Sequence, residues 1–230
     1  MNKFLFSAYR SLRRFWYNKL KVVVFDVDGV LRDSIHFTWQ ALSATMRDFG
    51  VERAPTFEEF SAYYTEPWHR YYANWGVKAS NEDILRCYMR HWNKVRHLPQ
   101  FFPEVREVIL RLSALGIKLA IVTMNSETII RELLREVAIE YHFEVIIGEA
   151  EIKSSALTEV CARLQIEPEE AAYVGDLESD MIFAGEAGLW RVAKHPSAIE
   201  LPENACLMRC EVDERITHLS EVIHFARKRI

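Results

Sequence analysis

Apolar residues along the chain follow two patterns, short continuous runs and longer stretches with a helical period. The first clear run, 21–27, reads Lys-Val-Val-Val-Phe-Asp-Val and is soon followed by Gly29. Continuous apolar runs of this length are typical of strands that are buried on both faces of a parallel sheet. After position 103 such runs alternate with helical stretches. This alternation predicts an α/β fold in which helices flank a parallel sheet.

The alternating part of the chain provides a predicted range for each element. The predicted strands are 117–123, 143–147, 171–174, 189–192 and, last, 205–208. The predicted helices are 103–115, 127–137, 154–164, 180–187 and a closing helix at 214–229. Periodicity does not fix the order of the strands in the sheet.

The stretch between the first strand and this alternating part has helical patterns and no convincing strand. Helices are predicted at 35–49, 56–65 and 81–98. Thr56 followed by Glu59 is a capping-box pattern, and Asn81 is a plausible N-cap. We therefore expect an all-helical domain at 34–98, inserted into a core domain made of 21–33 and 99–230.

The first twenty residues form a separate predicted unit, a basic amphipathic helix. They contain five basic residues and no acidic one, and their apolar residues lie near one helical face. This segment, 1–20, is compatible with packing on its own domain or on a partner subunit, with contact to a membrane surface, and with a targeting presequence. Either a monomer or a homodimer is compatible with these patterns.

Composition and charge exclude several classes of function. Lys and Arg number 29 against 33 Asp and Glu, and the net charge of −4 offers no basic surface for nucleic acid. Half of the residues are hydrophobic, which excludes a disordered chain. The four cysteines show no disulfide or zinc spacing, so a reducing, cytoplasmic location is expected and no function is assigned to them. No apolar run is long enough to span a membrane.

Polar residues that follow predicted strands identify the candidate site. In an open parallel sheet, ligands bind at the carboxyl ends of the strands, which meet at one edge. The residues at these positions are Asp26, Asp28, Thr123, Lys153, Asp176 and Asp180. Five charged groups and one hydroxyl are therefore expected to converge there.

Four segments that contain these residues resemble, in order, the motifs of haloacid dehalogenase-like (HAD) phosphatases. Residues 25–34 read FDVDGVLRDS, 121–126 read IVTMNS, Lys153 stands alone, and 174–181 read VGDLESDM. Together with the helical insert, the motifs resemble the phosphoglycolate-phosphatase-like branch, which has a helical cap. The resemblance implies a Rossmann-like core and a cap that closes over the site and selects a small phosphorylated metabolite.

The resemblance also implies a mechanism. Asp26 is the expected nucleophile, which forms an aspartyl-phosphate, and Asp28 the expected general acid and base. Two like charges 4 Å apart repel by about 4 kcal/mol at an effective dielectric of 20, so a carboxylate that attacks a phosphate needs cations nearby. The expected phosphate-binding residues are Thr123, Met124, Asn125 and Lys153. The expected ligands of a Mg²⁺ ion are Asp26, the backbone carbonyl of Asp28, Asp176 and, directly or through water, Asp180.

Some residues depart from the family pattern or stay ambiguous. Arg32 occupies a position that is usually small or apolar, Asp33 is expected to be structural, and Glu178 is expected either to reach the metal or to face solvent. A phosphomutase would retain the same motifs, and a non-catalytic binding module that uses the N-terminal helix is a further alternative. A dehalogenase is disfavoured because its chemistry needs neither Asp28 nor a metal. Aromatic residues of the insert are expected mainly to pack its core, with His69 or Arg70 as candidates to face the substrate.

Overall fold

A computed structural model of the chain describes residues 19–64, 67–150, 152–196 and 200–230. Six parallel strands form one sheet in the order β3-β2-β1-β4-β5-β6. Their bounds are Val22–Phe25 (β1), Lys118–Val122 (β2), Phe143–Ile147 (β3), Ala171–Gly175 (β4), Trp190–Lys194 (β5) and Glu214–Ile216 (β6). The chain first builds outward from β1 through β2 to β3 and then restarts on the other side with β4. A crevice at the carboxyl end of β1 follows from this reversal of strand order.

Ten α-helices and two short 3-10 helices, Glu140–His142 and Pro168–Glu170, accompany the sheet within the described residues. Those before β2 are α1 (Ile35–Asp48), α2 (Phe57–Tyr63), α3 (Trp68–Asn74), α4 (Asn81–Val95) and α5 (Val105–Ala114). Those after β2 are α6 (Glu127–Glu136), α7 (Lys153–Leu164), α8 (Glu178–Ala187), α9 (Cys206–Arg209) and α10 (Glu221–Arg227).

The sheet has a hydrophobic core on each face. Residues of β1 alternate between the two faces, so that Val23 and Phe25 pack with α5, α6 and α10, and Val22 and Val24 pack with α7 and α8. All four side chains are fully buried. The predicted α/β fold with a parallel, Rossmann-like sheet flanked by helices is confirmed.

Helices α1 to α4 share a third hydrophobic core that is separate from the two cores of the sheet. It includes Leu42, Met46, Phe60, Tyr71 and Tyr72, all nearly inaccessible to solvent. Helix α2 begins with the predicted capping box, in which Thr56 Oγ1 accepts from the Glu59 N–H and Glu59 accepts from the Thr56 N–H. Helix α4 is capped by Ser80 and not by Asn81.

Several predicted elements are wrong. The predicted last strand at 205–208 is not formed, because Ala205 is the N-cap of helix α9 and 206–208 lie in that helix; the last strand is β6. The predicted closing helix at 214–229 is correspondingly shorter and is preceded by β6. Helix α3 was not predicted, and Lys153 is the first residue of α7 and does not lie in the preceding loop.

The predicted amphipathic helix falls almost entirely on residues 1–18, which lie outside the described part of the chain. Within the described residues, no helix has both the length and the apolar character that a membrane crossing requires.

Candidate active site

Asp26 lies directly after the central strand β1 and is 6% exposed. Its backbone N–H donates to the carbonyl of Val174, which continues the pairing with β4. Its Oδ1 accepts a hydrogen bond of 2.7 Å from the Val27 N–H, and its Oδ2 lies 2.7 Å from Lys153 Nζ. Both carboxylate oxygens are therefore fixed by the protein.

Lys153 joins two buried carboxylates. Its Nζ lies 2.7 Å from Asp26 Oδ2 and 2.7 Å from Asp180 Oδ1, and the residue is 2% exposed. Asp180 Oδ2 accepts 3.1 Å hydrogen bonds from the N–H groups of Asp176 and Leu177. Asp180 is thus engaged through both oxygens, and it fixes Lys153 and the loop that carries Asp176.

Asp176 approaches the loop after β1 closely. A side chain on Gly29 would overlap the Asp176 carboxylate, and Gly29 also has a φ of +73°, which favours glycine. Lys194 Nζ, on β5, donates to the Gly29 carbonyl at 3.1 Å and lies 4.0 Å from the centre of the Phe102 ring. Glycine at position 29 therefore allows the carboxylate of Asp176 to reach the first loop.

Burial raises the pKa values of two carboxyl groups in the site, those of Asp26 and Asp176. It raises the pKa of Asp26 to about 7, although the nearby Lys153 acts in the opposite direction. Burial, and then the charges of Asp180 and Asp26, raise the pKa of Asp176 well above its ordinary value. Carboxylates packed in this way are stabilised in their charged form by a bound cation.

The carboxylates fit a divalent metal ion. One oxygen from each of Asp26, Asp176 and Asp180 lies within 4.8 Å of the others. The donor set contains only oxygen atoms, which hard cations such as Mg²⁺ prefer. Asp26 and Asp176 line the inner cavity described below, whereas Asp180 is fully buried and does not, so Asp26 and Asp176 are the better-placed ligands.

A second group of metal-ligating side chains among the described residues joins α1 to α4: Asp48, Cys87 and His91. Here Arg90 Nη2 lies 2.6 Å from Asp48 Oδ2 and 3.2 Å from Cys87 Sγ. A guanidinium therefore already compensates this carboxylate, and the group is an ion-pair network between two helices.

Of the residues after β2, Asn125 contacts Asp28. Asn125 Nδ2 donates to Asp28 Oδ2 and lies 3.3 Å from Thr123 Oγ1. Thr123 is 1% exposed, whereas Met124 is 40% exposed. The amide of Asn125 thus holds the carboxylate of Asp28, while phosphate contacts of Thr123, Met124 and Asn125 stay predictions.

A cavity of about 130 Å³, which we call the inner cavity, lies between this group and helices α1 and α2. Asp26, Asp28, Lys153 and Asp176 line it on the side of the sheet. Its other lining residues are Gly29, Ser34, Ile35, Thr38, Phe60, Ser61, Tyr64, Leu177, Pro196 and Leu201. The inner cavity is large enough for a phosphate group beside Asp26.

Two residues at the site were not recognised from the sequence as part of it. Lys194 follows the same rule as the predicted residues, since it ends strand β5, and that signal could have found it. Arg32 is 3% exposed, and its Nη2 donates to the carbonyls of Pro99 at 3.0 Å and Arg96 at 3.2 Å. Its Nη1 lies 4.0 Å from Asp28 Oδ1. Arg32 therefore connects the Asp28 loop to the segment that returns from α4.

The inner cavity is not lined by Asp33, Glu178 or Arg70. Asp33 is exposed, and its N–H donates to the Gln100 carbonyl. Glu178 is half-buried next to Cys206, whose pKa is raised first by burial and then by the charge of Glu178. Arg70 is exposed and does not line the inner cavity.

Comparisons with known proteins agree with this fold and site. The family model described as haloacid dehalogenase-like hydrolase matches residues 23–194. A phosphoglycolate phosphatase of Aquifex aeolicus is 28% identical over 202 residues, which cover 78% of this chain and 90% of that protein. The tyrosine-protein kinase PtkA of Mycobacterium tuberculosis is 26% identical over 175 residues, and the match covers 74% of this chain and 60% of the kinase.

Solved structures are similar in fold. A haloacid dehalogenase-like hydrolase from Streptococcus pneumoniae superposes with a TM-score of 0.73 at 23% identity, covering 90% of this chain and 98% of the other. A protein from Clostridium acetobutylicum that is described as a predicted phosphatase superposes with a TM-score of 0.74 at 15% identity, covering 91% of this chain and 99% of the other.

The fold and the site define an α/β protein with a parallel sheet and a cluster of acidic residues at the carboxyl end of its central strand. The chain belongs to the haloacid dehalogenase-like hydrolase family, within its phosphoglycolate-phosphatase-like branch. The predicted family resemblance is confirmed.

Proposed function

We propose that this protein is a magnesium-dependent phosphatase that hydrolyses a small phosphorylated metabolite through an aspartyl-phosphate on Asp26. The observation that carries the proposal is the position of Asp26, which is fixed by Lys153, lies beside Asp176 and lines the inner cavity. Family membership supports a phosphatase.

In the proposed first step, one carboxylate oxygen of Asp26 attacks phosphorus, and the bond between phosphorus and the leaving oxygen breaks. Lys153 neutralises part of the negative charge that accumulates. Asp28, held by Asn125, protonates the leaving oxygen. In the second step Asp28 takes a proton from the water that hydrolyses the acyl phosphate.

A bound Mg²⁺ would be held by Asp26 and Asp176, with the backbone carbonyl of Asp28 as a further expected ligand. When bound, it offsets the repulsion between the Asp26 carboxylate and the phosphate. Asp180 contributes by fixing Lys153 and the Asp176 loop.

In this proposal the helical segment 34–98 is a cap over the core formed by 21–33 and 99–230. Support comes from its separate hydrophobic core and from the residues of α1 and α2 that line the inner cavity. Such a cap excludes water and contacts the leaving group.

The direct test is hydrolysis of p-nitrophenyl phosphate with Mg²⁺, measured for the unmodified protein and for Asp26→Asn. We expect phosphate release by the unmodified protein and none above background by the variant. Asp33→Asn is a matched control, because it makes the same change in the same motif at an exposed residue, and it should retain activity. Activity that survives in Asp26→Asn would contradict the proposal.

A further inference from the structure

Three neighbouring cavities that share lining residues lie along the helical segment, beginning with the inner cavity. A middle cavity of about 160 Å³ shares Thr38 and Tyr64 with the inner cavity. An outer groove of about 720 Å³ shares Trp68, Leu85 and Met124 with the middle cavity. Because Thr38 and Tyr64 are walls of both cavities, the middle cavity is the adjoining space for a leaving group attached to a phosphate beside Asp26.

The lining of the middle cavity is aromatic and aliphatic. It includes Leu42, Trp68, Tyr72, Leu85 and Tyr88, and no charged side chain among the described residues lines it. Burial raises the pKa values of Tyr72 and Tyr88 well above the ordinary tyrosine value, so both phenols are neutral. Apolar walls of this kind stabilise an apolar ligand by removing its surface from water.

No cation is left at the described walls to receive a negatively charged leaving group. In the inner cavity Lys153 is already bound to two carboxylates. The other polar side chains of that cavity, apart from the carboxylates, are the uncharged Ser34, Thr38, Ser61 and Tyr64. His69 lines only the outer groove, where Glu149 is also present. A carboxylate on the leaving group would lose its hydration and gain hydroxyl groups but no cation as partners, which compensates a buried charge poorly.

We propose that the leaving group of the natural substrate is uncharged and mainly apolar, an aryl or branched alkyl alcohol, and that it occupies the middle cavity. This inference rests on the proposed phosphatase function. It differs from a carboxylate-bearing substrate such as the phosphoglycolate for which several sequence relatives are named.

The first test compares phenyl phosphate with 4-carboxyphenyl phosphate, which differ by one carboxylate at the far end of the same ring. With Mg²⁺ present, kcat/KM should be at least about tenfold higher for phenyl phosphate, a preference equivalent to about 1.4 kcal/mol. 2-Phosphoglycolate should be disfavoured similarly. An equal or higher kcat/KM for either carboxylate-bearing ester would overturn the inference.

The second test introduces a cationic side chain at the boundary between the middle cavity and the outer groove. Leu85 lies between the middle cavity and the outer groove and is 48% exposed, so Leu85→Lys should fold normally. This variant should narrow or reverse the preference for phenyl over 4-carboxyphenyl phosphate, whereas Leu85→Met should leave it unchanged. An unchanged preference in Leu85→Lys would contradict the placement of the leaving group.

The same assays distinguish failure of the proposed phosphatase function from failure of this inference alone. If the unmodified protein with Mg²⁺ hydrolyses none of these esters and not p-nitrophenyl phosphate, the phosphatase function falls, and this inference falls with it. If it hydrolyses the carboxylate-bearing esters best, the function stands and only this inference is overturned.

Discussion

At the scale of single residues, Lys153 makes the cluster of acidic side chains possible. Its ammonium group lies at hydrogen-bond distance from two carboxylates that are almost inaccessible to solvent. Removing one partner of a buried ion pair is costly because the remaining charge has no compensation. The same contact thus fixes the orientation of Asp26, the proposed nucleophile.

Asn125 provides a residue-scale prediction, because its amide donates to the proposed general acid Asp28. Asn125→Ala should lower kcat for p-nitrophenyl phosphate about tenfold, a part of the 10²–10⁴ that general acid–base catalysis contributes, with little change in KM. Asn125→Asp should lower kcat further, since it places a like charge beside Asp28. Steady-state kinetics of both variants provide the measurement.

These kinetics also separate the two roles that Asn125 can have. The sequence predicted that Asn125 binds phosphate, and loss of such a contact would raise KM. A variant with a raised KM and an unchanged kcat would contradict the positioning role and support the phosphate contact.

At the scale of elements, the two connections between the sheet and the helical segment form one paired ribbon. The Asp33 N–H donates to the Gln100 carbonyl, and the Phe102 N–H donates to the Leu31 carbonyl, each at 2.9 Å. The buried guanidinium of Arg32 adds its bonds to Pro99 and Arg96. Arg32, which departs from the family pattern, therefore has a structural role where the helical segment joins the sheet.

Arg32→Met tests this role. Methionine retains much of the aliphatic length but leaves two carbonyls without their donor, so the free energy of unfolding should fall by about 2 kcal/mol. Urea unfolding gives the value. Arg106→Met, at an exposed position of α5, is the control and should change stability by less than about 0.5 kcal/mol. A loss as small as that of the control would mean that the ribbon does not depend on Arg32.

The secondary-structure elements show which strands could be predicted from the sequence pattern and which could not. Continuous apolar runs predicted the buried strands well, and 143–147 agrees with β3 at both ends. The prediction of the last strand was wrong for two reasons. The true last strand, β6 (Glu214–Ile216), is an edge strand with polar residues, and the apolar run near Leu207 forms helix α9 instead. Short apolar runs fit either structure, and only the tertiary neighbours decide between them.

At the scale of the whole molecule, the order of the strands brings residues from separate motifs together into one site. The rule that ligands bind after parallel strands was enough to select Asp26, Lys153 and Asp176. It could not predict that Asn125 would contact Asp28 or that Lys194 would reach the Gly29 carbonyl, because such contacts depend on side-chain directions and on loops. For the same reason, the periodicity of the sequence could not predict which aromatic residues line the middle cavity.

Binding of Mg²⁺ should stabilise the whole molecule. An ion that binds only the native state raises its stability by RT ln(1 + [L]/Kd), about 2.7 kcal/mol at one hundred times Kd. Thermal unfolding with excess Mg²⁺ should therefore occur at a higher temperature than with EDTA. Asp176→Asn should lose most of this shift, and Asp33→Asn should retain it. Equal shifts in both variants would contradict the assignment of Asp176 as a ligand.

The central claim is that Asp26 carries the phosphoryl group during turnover. Its most direct test is acid quenching of the protein during steady-state hydrolysis of a ³²P-labelled aryl phosphate, followed by hydroxylamine treatment and peptide mapping. The account predicts a hydroxylamine-labile phosphate on the peptide that contains Asp26, dependent on Mg²⁺ and absent from Asp26→Asn. Turnover without protein-bound phosphate, or label on another residue, would contradict it.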